Sequence, residues 1–259
     1  MTDRVALVTG AARGIGAATV RLLAESGHHV VALDSCEGTA TPYPLPSRGD
    51  LDAVAAPYGD TVLAVVADVR DRTALDRVVA DTIARWGRLD VAVAAAAVIR
   101  GGSPLWETPD ADLETLLDVD VRGVWNTAAA VVPAMLGGPD PSGCRFVAVA
   151  SAAGSTGLFR LAGYTVAKHA VVGLVRGLAA DLAGTGVTAC AVSPGSTATP
   201  MLDATAAIYD VGTDALVGHQ GIGRVIDPDE IAATIGFACS PAGAVLHGSV
   251  VQADGGFSA

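Results

Sequence analysis

Short β-branched runs and longer Ala/Leu-rich stretches alternate along the whole chain, and no other feature constrains the fold as strongly. The runs VALVT (5–9), HVVALD (29–34), TVLAVVAD (61–68), DVAVAA (90–95), RFVAVAS (145–151), VTACAVS (187–193) and SVVQAD (249–254) read as strands. Several are apolar throughout, as strands covered on both faces must be. Between them the spacing predicts helices near 14–26, 72–86, 109–136, 162–183 and 228–239. In the last, Asp227 can cap, Pro228 suits the first turn, and Asp229 and Glu230 complement the helix dipole. Repeated βα units with right-handed crossovers give a doubly wound parallel sheet of about seven strands, a single α/β domain over 1–259. Residues 35–60 break the pattern, with four prolines and no clean period where a simple helical crossover is expected.

Bulk properties narrow the function. The 259 residues suffice for one large domain, and no linker, repeat or low-complexity tract divides them. Acidic residues outnumber basic ones 27 to 16, a formal charge of −11, which argues against nucleic acid or an anionic membrane as partner and for a small molecule. The apolar run before Thr9 is too short for a signal-peptide core or a membrane span, so a cytoplasmic location is expected. Cys36, Cys144, Cys190 and Cys239 lie far apart with no C-x-x-C, predicting neither a disulfide framework nor a metal site but reduced packing residues.

The segment TGAARGIG (9–16) joins the first strand to the first helix. Gly10 permits a tight turn, Gly14 admits close approach of a pyrophosphate, and Gly16 lets the helix pack near the sheet with its positive end on the phosphates. Arg13 and Ile15 lie in the same loop. Asp34 ends the second strand, where a carboxylate accepts hydrogen bonds from an adenosine ribose and repels a 2′-phosphate. That favours NAD over NADP, although Arg13 could attract the 2′-phosphate.

A second constellation lies in SAAGSTGLFRLAGYTVAKHA (151–170). Tyr164 and Lys168 are four apart on one helix face, so the ammonium can lower the phenol pKa and fit the tyrosine for acid/base work. Ser151, at the carboxyl end of a strand, can donate a hydrogen bond to a substrate oxygen. His28, His29 and His169 read as turn or surface residues, and Trp86, Trp106 and Trp125 as packing. The stretch 196–226 suits a mobile substrate lid.

Taken in order, TGAARGIG, ADV (67–69), SAAG with YTVAK, SPGSTATPM (193–201) and ADGGF (253–257) resemble the short-chain dehydrogenase/reductase family over essentially the whole chain. CEGTATPYPLPSRGDLDAV, PLWETPDADLETLLDV and GLAADLAGTGVTACAVSPGST are most similar to its mycofactocin-coupled subgroup. The resemblance implies a Rossmann-fold subunit, usually of a homotetramer, that moves hydride between an alcohol or ketone carbon and nicotinamide. It implies Tyr164 as acid/base, Lys168 as ribose and phenol partner, and Ser151 as holder of the substrate oxygen. Asp68 and Val69 would flank the adenine, and Pro194, Gly195, Thr197 and Thr199 would line the nicotinamide and phosphates. The subgroup further implies retained NAD and a mycofactocin-type electron acceptor, with 35–60 as a cover over the cofactor.

Two departures stand against the family pattern. Ala94, Ala95, Ala96 and Ala97 replace NNAG, losing side-chain amides; Ala94 and Ala96 are still expected beside the cofactor. Asp120 stands where the family has the Asn of its proton relay, and could pair directly with Lys168. An ordinary alcohol dehydrogenase or ketone reductase with exchangeable NAD(H), and a catalytically silent nucleotide-binding protein, are the alternatives.

Overall fold

The computed structural model describes residues 4–36, 41 and 43–257; Pro42, one of the prolines expected in the cover, lies outside them. Seven strands form one parallel sheet in the order β3-β2-β1-β4-β5-β6-β7. They are β1 (Val5–Thr9), β2 (His29–Asp34), β3 (Val62–Val66), β4 (Val91–Ala94), β5 (Arg145–Val149), β6 (Thr188–Pro194) and β7 (Val250–Ala253). The chain is a single-domain Rossmann-like α/β fold, as the alternating runs predict.

Strand parity sets the two cores, because successive side chains point to opposite faces. Leu7, Leu33, Ala92 and Phe146 pack beneath α3 (Arg72–Trp86), α5 (Gly123–Leu136) and α6 (Ala162–Asp181). Ala6, Val8, Val93 and Val147 face α1 (Gly14–Glu25), α2 (Arg48–Ala55) and α8 (Pro228–Cys239). Both faces are covered, so β1 and β5 are buried at every position. At α8 the Asp227 carboxylate accepts the Asp229 N–H at 2.8 Å while Glu230 accepts the Asp227 N–H at 2.9 Å, closing the expected cap. All four cysteines are free and buried, and burial pushes the Cys190 thiol up to about 11 and Cys239 to about 12.

Three local expectations change, and the 196–226 stretch gains defined elements. Residues 35–60 contain α2, capped by Ser47 with Asp50 in a capping box, and a 3₁₀ stretch over Ala56–Thr61. The eight-residue helix is too short, between proline-rich flanks, to show a clean period. The helix expected over 109–136 is α4 (Asp110–Leu116), a wide π turn over Leu117–Arg122, and α5. The 196–226 stretch forms α7 (Pro200–Ile208) and a 3₁₀ turn over Thr213–His219. Among the aromatics, Trp86 stacks on His29 at 5.1 Å between ring centres, whereas Trp106 and Trp125 are 81% and 64% exposed and are not packing residues within this chain.

Candidate active site

The carboxyl ends of the central strands gather nearly all the residues singled out in the sequence around one cavity of about 640 Å³. Gly10, with φ +66°, turns the chain out of β1, and a Cβ there would stand 2.8 Å from the Ala96 backbone. A Cβ on Gly16 would collide with the Gly10 carbonyl, and one on Gly14 would sit 3.0 Å from Thr199 Cγ2. No side chain caps the N-terminus of α1, so its first amides and the glycine turn form a cradle fit for a phosphate. Asp34 is buried at the end of β2; its Oδ2 accepts the Ala12 N–H at 3.1 Å, and its carboxylate lines the cavity. Arg13 lines the same cavity, donating to the Pro44 carbonyl at 2.8 Å and lying 5.8 Å over the Tyr43 ring.

Asp68 and Val69 line the same cavity. Burial pushes the Asp68 carboxyl up, but hydrogen bonds from the Arg70 guanidinium and backbone outweigh this and hold it below its ordinary value. The Ala94 to Ala97 run replaces lost amides with a partner from β1: Thr9 Oγ1 accepts the N–H groups of Ala95 and Ala96 at 3.1 and 3.2 Å. Ala96 lines the cavity; Ala94 is buried within β4 beside Thr9 and does not. On the opposite wall, Thr197 donates to the Gly195 carbonyl at 3.0 Å and Thr199 caps α7. Pro194, Gly195, Thr197 and Thr199 all face the cavity, as does Ile15.

Ser151, Tyr164 and Lys168 all line this cavity. Ser151 follows β5, its Oγ accepting the Ala153 N–H at 3.1 Å while Ser193 donates to its carbonyl at 2.6 Å. From α6, Tyr164 donates to Met201 Sδ at 3.8 Å, and Lys168 places Nζ 5.4 Å from the Tyr164 ring centre and 3.5 Å from the Val149 carbonyl. Asp120, in the π turn, is fully buried behind Lys168 and does not reach the cavity wall. Its Oδ1 accepts the Val98 N–H at 2.8 Å, and its Oδ2 stands 3.2 Å from Lys168 Nζ. The two side chains form an ion pair sealed from solvent, with Lys168 2% and Asp120 0% exposed.

The electrostatics follow from this burial. Burial pushes the Tyr164 phenol above its ordinary value and Asp120 adds to the rise, outweighing the downward pull of Lys168 and Ser151. Burial pulls Lys168 down, but the Asp120 carboxylate and Tyr164 more than reverse it, and the lysine is held charged.

The sequence model described as enoyl-(acyl carrier protein) reductase matches residues 10–258. An uncharacterized NAD-dependent oxidoreductase of Mycobacterium tuberculosis is 36% identical over 266 residues, covering 98% of this chain and 95% of the relative. The chain belongs to the short-chain dehydrogenase/reductase family. A cis-4-hydroxycyclohexanecarboxylate dehydrogenase of Sinomonas cyclohexanicum is 35% identical over 99% of this chain and 97% of its own length. Among solved structures, levodione reductase superposes with a TM-score of 0.88 at 29% identity, covering 99% of this chain and 98% of that one. A 3-ketoacyl-(acyl-carrier-protein) reductase from Brucella melitensis complexed with NADH gives 0.85 at 25% identity over 99% of each. As a short-chain dehydrogenase/reductase, the chain is an enzyme of the oxidoreductase class.

Several contributors to this short-chain dehydrogenase/reductase site carry no sequence motif. Asn126 on α5 donates to the carbonyls of Val69 and Arg70 at 3.0 and 3.2 Å, fixing the loop that bears Asp68. Gln220 is buried and donates to the Ser196 and Arg224 carbonyls, bracing the chain after Gly195. Tyr43 spans from Arg13 to the Ile99 N–H, which its hydroxyl accepts at 3.0 Å. A polar residue inside an otherwise apolar helix was the one available signal, and only Asn126 offers it.

Proposed function

We propose that this chain is an NAD-dependent dehydrogenase for a secondary alcohol or ketone that retains its NAD and passes electrons to an external, mycofactocin-type acceptor. The NAD assignment is supported by the glycine cradle, by the Asp34 carboxylate at the ribose end, and by relatives named for NAD or held with NADH. When bound, the nicotinamide accepts or returns the hydride. Gly10, Gly14 and Gly16 would cradle the phosphates, Asp34 and Asp68 the adenosine, and Pro194, Gly195, Thr197 and Thr199 the opposite side. Ser151 holds the substrate oxygen, and Tyr164 gives a proton to a carbonyl oxygen or takes one from an alcohol.

The observation that carries cofactor retention is the tether formed by residues 43–46. Arg13 donates to the Pro44 carbonyl, Tyr43 accepts from Ile99, and Leu45 and Pro46 line the cavity between them. A dinucleotide in the cradle would sit under this cover, and release would require breaking both ties. The substrate side has apolar walls from Leu158, Phe159 and Met201, which suits an apolar alcohol, with 196–226 as its lid. Exposed Leu117, Trp125 and Val166 on the helical face favour assembly with further copies, as a homotetramer, and the acidic chain is assigned to the cytoplasm. No helix among the described residues is long and apolar enough to cross a membrane.

Gel filtration, denaturation and nucleotide assay test the reading. Expected are about one NAD per subunit and one turnover with alcohol alone, with continued turnover once an artificial or mycofactocin-like acceptor is added. Cofactor-free protein with steady turnover on added NAD would give the ordinary exchangeable dehydrogenase instead.

A further inference from the structure

Asp120 has more charge than its structural duty requires. Its Oδ1 accepts the Val98 N–H, a bond that the carbonyl of an asparagine would make equally well. What the carboxylate adds is a second oxygen, Oδ2, 3.2 Å from Lys168 Nζ; burial pushes this carboxyl up, while the Lys168 ammonium and the Val98 N–H pull it back toward the charged form. Both side chains are essentially sealed from solvent, at 0 and 2% exposure, so the contact is little screened.

We infer that Asp120 is a positioning residue whose carboxylate competes with the Tyr164 phenolate for the charge of Lys168, and so keeps Tyr164 as the protonated, proton-giving form. The inference rests on the proposed acid/base role of Tyr164 and adds a bias to it. With Asp120 ionised, phenol, ammonium and carboxylate together are neutral, and loss of the phenol proton leaves one uncompensated buried negative charge. With an uncharged side chain at 120, phenolate and ammonium balance each other. The second arrangement gives up its proton more readily, whatever the exact division among coupled groups.

The groups around this cluster do not supply a substitute. From the segment after β2, Tyr43 lies within electrostatic reach of Lys168 and Asp120, and burial pushes its own phenol up, so that it stays protonated. From β5 come the Val149 carbonyl and the Ser151 hydroxyl, from the chain after β4 the Val98 N–H, and from α7 the Met201 sulfur. Asp120 is therefore the anion that meets Lys168. In ketone reduction the phenol O–H breaks and its proton passes to the carbonyl oxygen, the phenolate then being reprotonated from solvent; in alcohol oxidation the phenol must first lose that proton to solvent, so the Asp120 carboxylate moves the onset of oxidation to higher pH.

The test is a tyrosinate absorbance titration of the protein as purified, with the Tyr164 contribution taken as the difference from Tyr164→Phe, repeated in the Asp120→Asn background. Expected is a parent midpoint above that of an ordinary tyrosine and a midpoint lower by about one pH unit or more in Asp120→Asn. The alkaline limb of ketone reduction should move down in parallel. An unchanged or raised midpoint in Asp120→Asn overturns the inference. If that variant does not fold, a parent midpoint at or below the ordinary tyrosine value overturns it alone. The titration needs no turnover, so a protein inactive on every alcohol and ketone would remove the proposed function while a lowered midpoint still supported the charge competition.

Discussion

Tyr43 accepts the Ile99 N–H at 3.0 Å, joining residues separated by 56 positions across the mouth of the cavity. One end of this contact belongs to the proline-rich segment after β2, the other to the chain leaving β4. The hydrogen bond therefore ties two strand-end loops that could otherwise separate independently, and it does so beside Leu45 and Pro46, which line the cavity.

Tyr43→Phe should accordingly speed cofactor loss with little effect on chemistry. The ring and its packing remain, but the Ile99 N–H loses its acceptor, a change of about 1 kcal/mol or about five-fold in release rate. Stopped-flow or dialysis measurement of NAD release checks it. A release rate equal to that of the parent would separate Tyr43 from retention.

Tyr164→Phe should reduce hydride transfer by about a hundred-fold or more while bound NAD stays near the parent level, since it removes the proton carrier and one weak contact to Met201. Single-turnover nicotinamide absorbance provides the measurement. Activity within a few-fold of the parent would take the acid/base role away from Tyr164.

Asp34→Ala is expected to do two things, because the Asp34 carboxylate both faces the cavity and accepts the Ala12 N–H. It should relax discrimination against NADP and also lower stability by about 1 kcal/mol through loosening of the glycine turn. Relative binding of the two nucleotides and a melting curve read the effects separately. Unchanged selectivity with a lowered melting point would leave Asp34 a purely structural role.

Thr9→Val should destabilise by about 1–3 kcal/mol, since two backbone N–H groups, of Ala95 and Ala96, lose the hydroxyl they share. Thr9→Ser keeps the oxygen and should stay close to the parent. Denaturant midpoints of the two variants supply the comparison, and equal midpoints would show that the alanine run needs no side-chain acceptor.

The parallel sheet, the glycine turn, Ser151 and the Tyr164–Lys168 pair are legible in sequence because each rests on local spacing: apolar runs, a strand followed by glycines, and a four-residue helical interval. The Thr9 contacts span 86 and 87 positions, and those of Asn126 span 57 and 56, so no window of sequence contains both partners. The α2 helix escaped for a different reason, its single turn pair lying between prolines that mask its period. Lys168 was expected to depress the Tyr164 pKa, and its pull is present. Burial outweighs it, and burial emerges only when helices close over the sheet.

The wide turn over Leu117–Arg122 is also a matter of chain length. A π turn holds one residue more than the α-helical ladder requires, and that surplus sits where the helix passes Lys168. Removing a single residue there would let α4 and α5 run together as one regular helix, with the flanking segments still in phase but the wide turn closed. The hydrophobic stripe of α5 would survive that change, whereas the buried seat of Asp120, which lies within the wide turn, would not. Insertions and deletions in this stretch, more than substitutions, are what the ion pair would fail to survive.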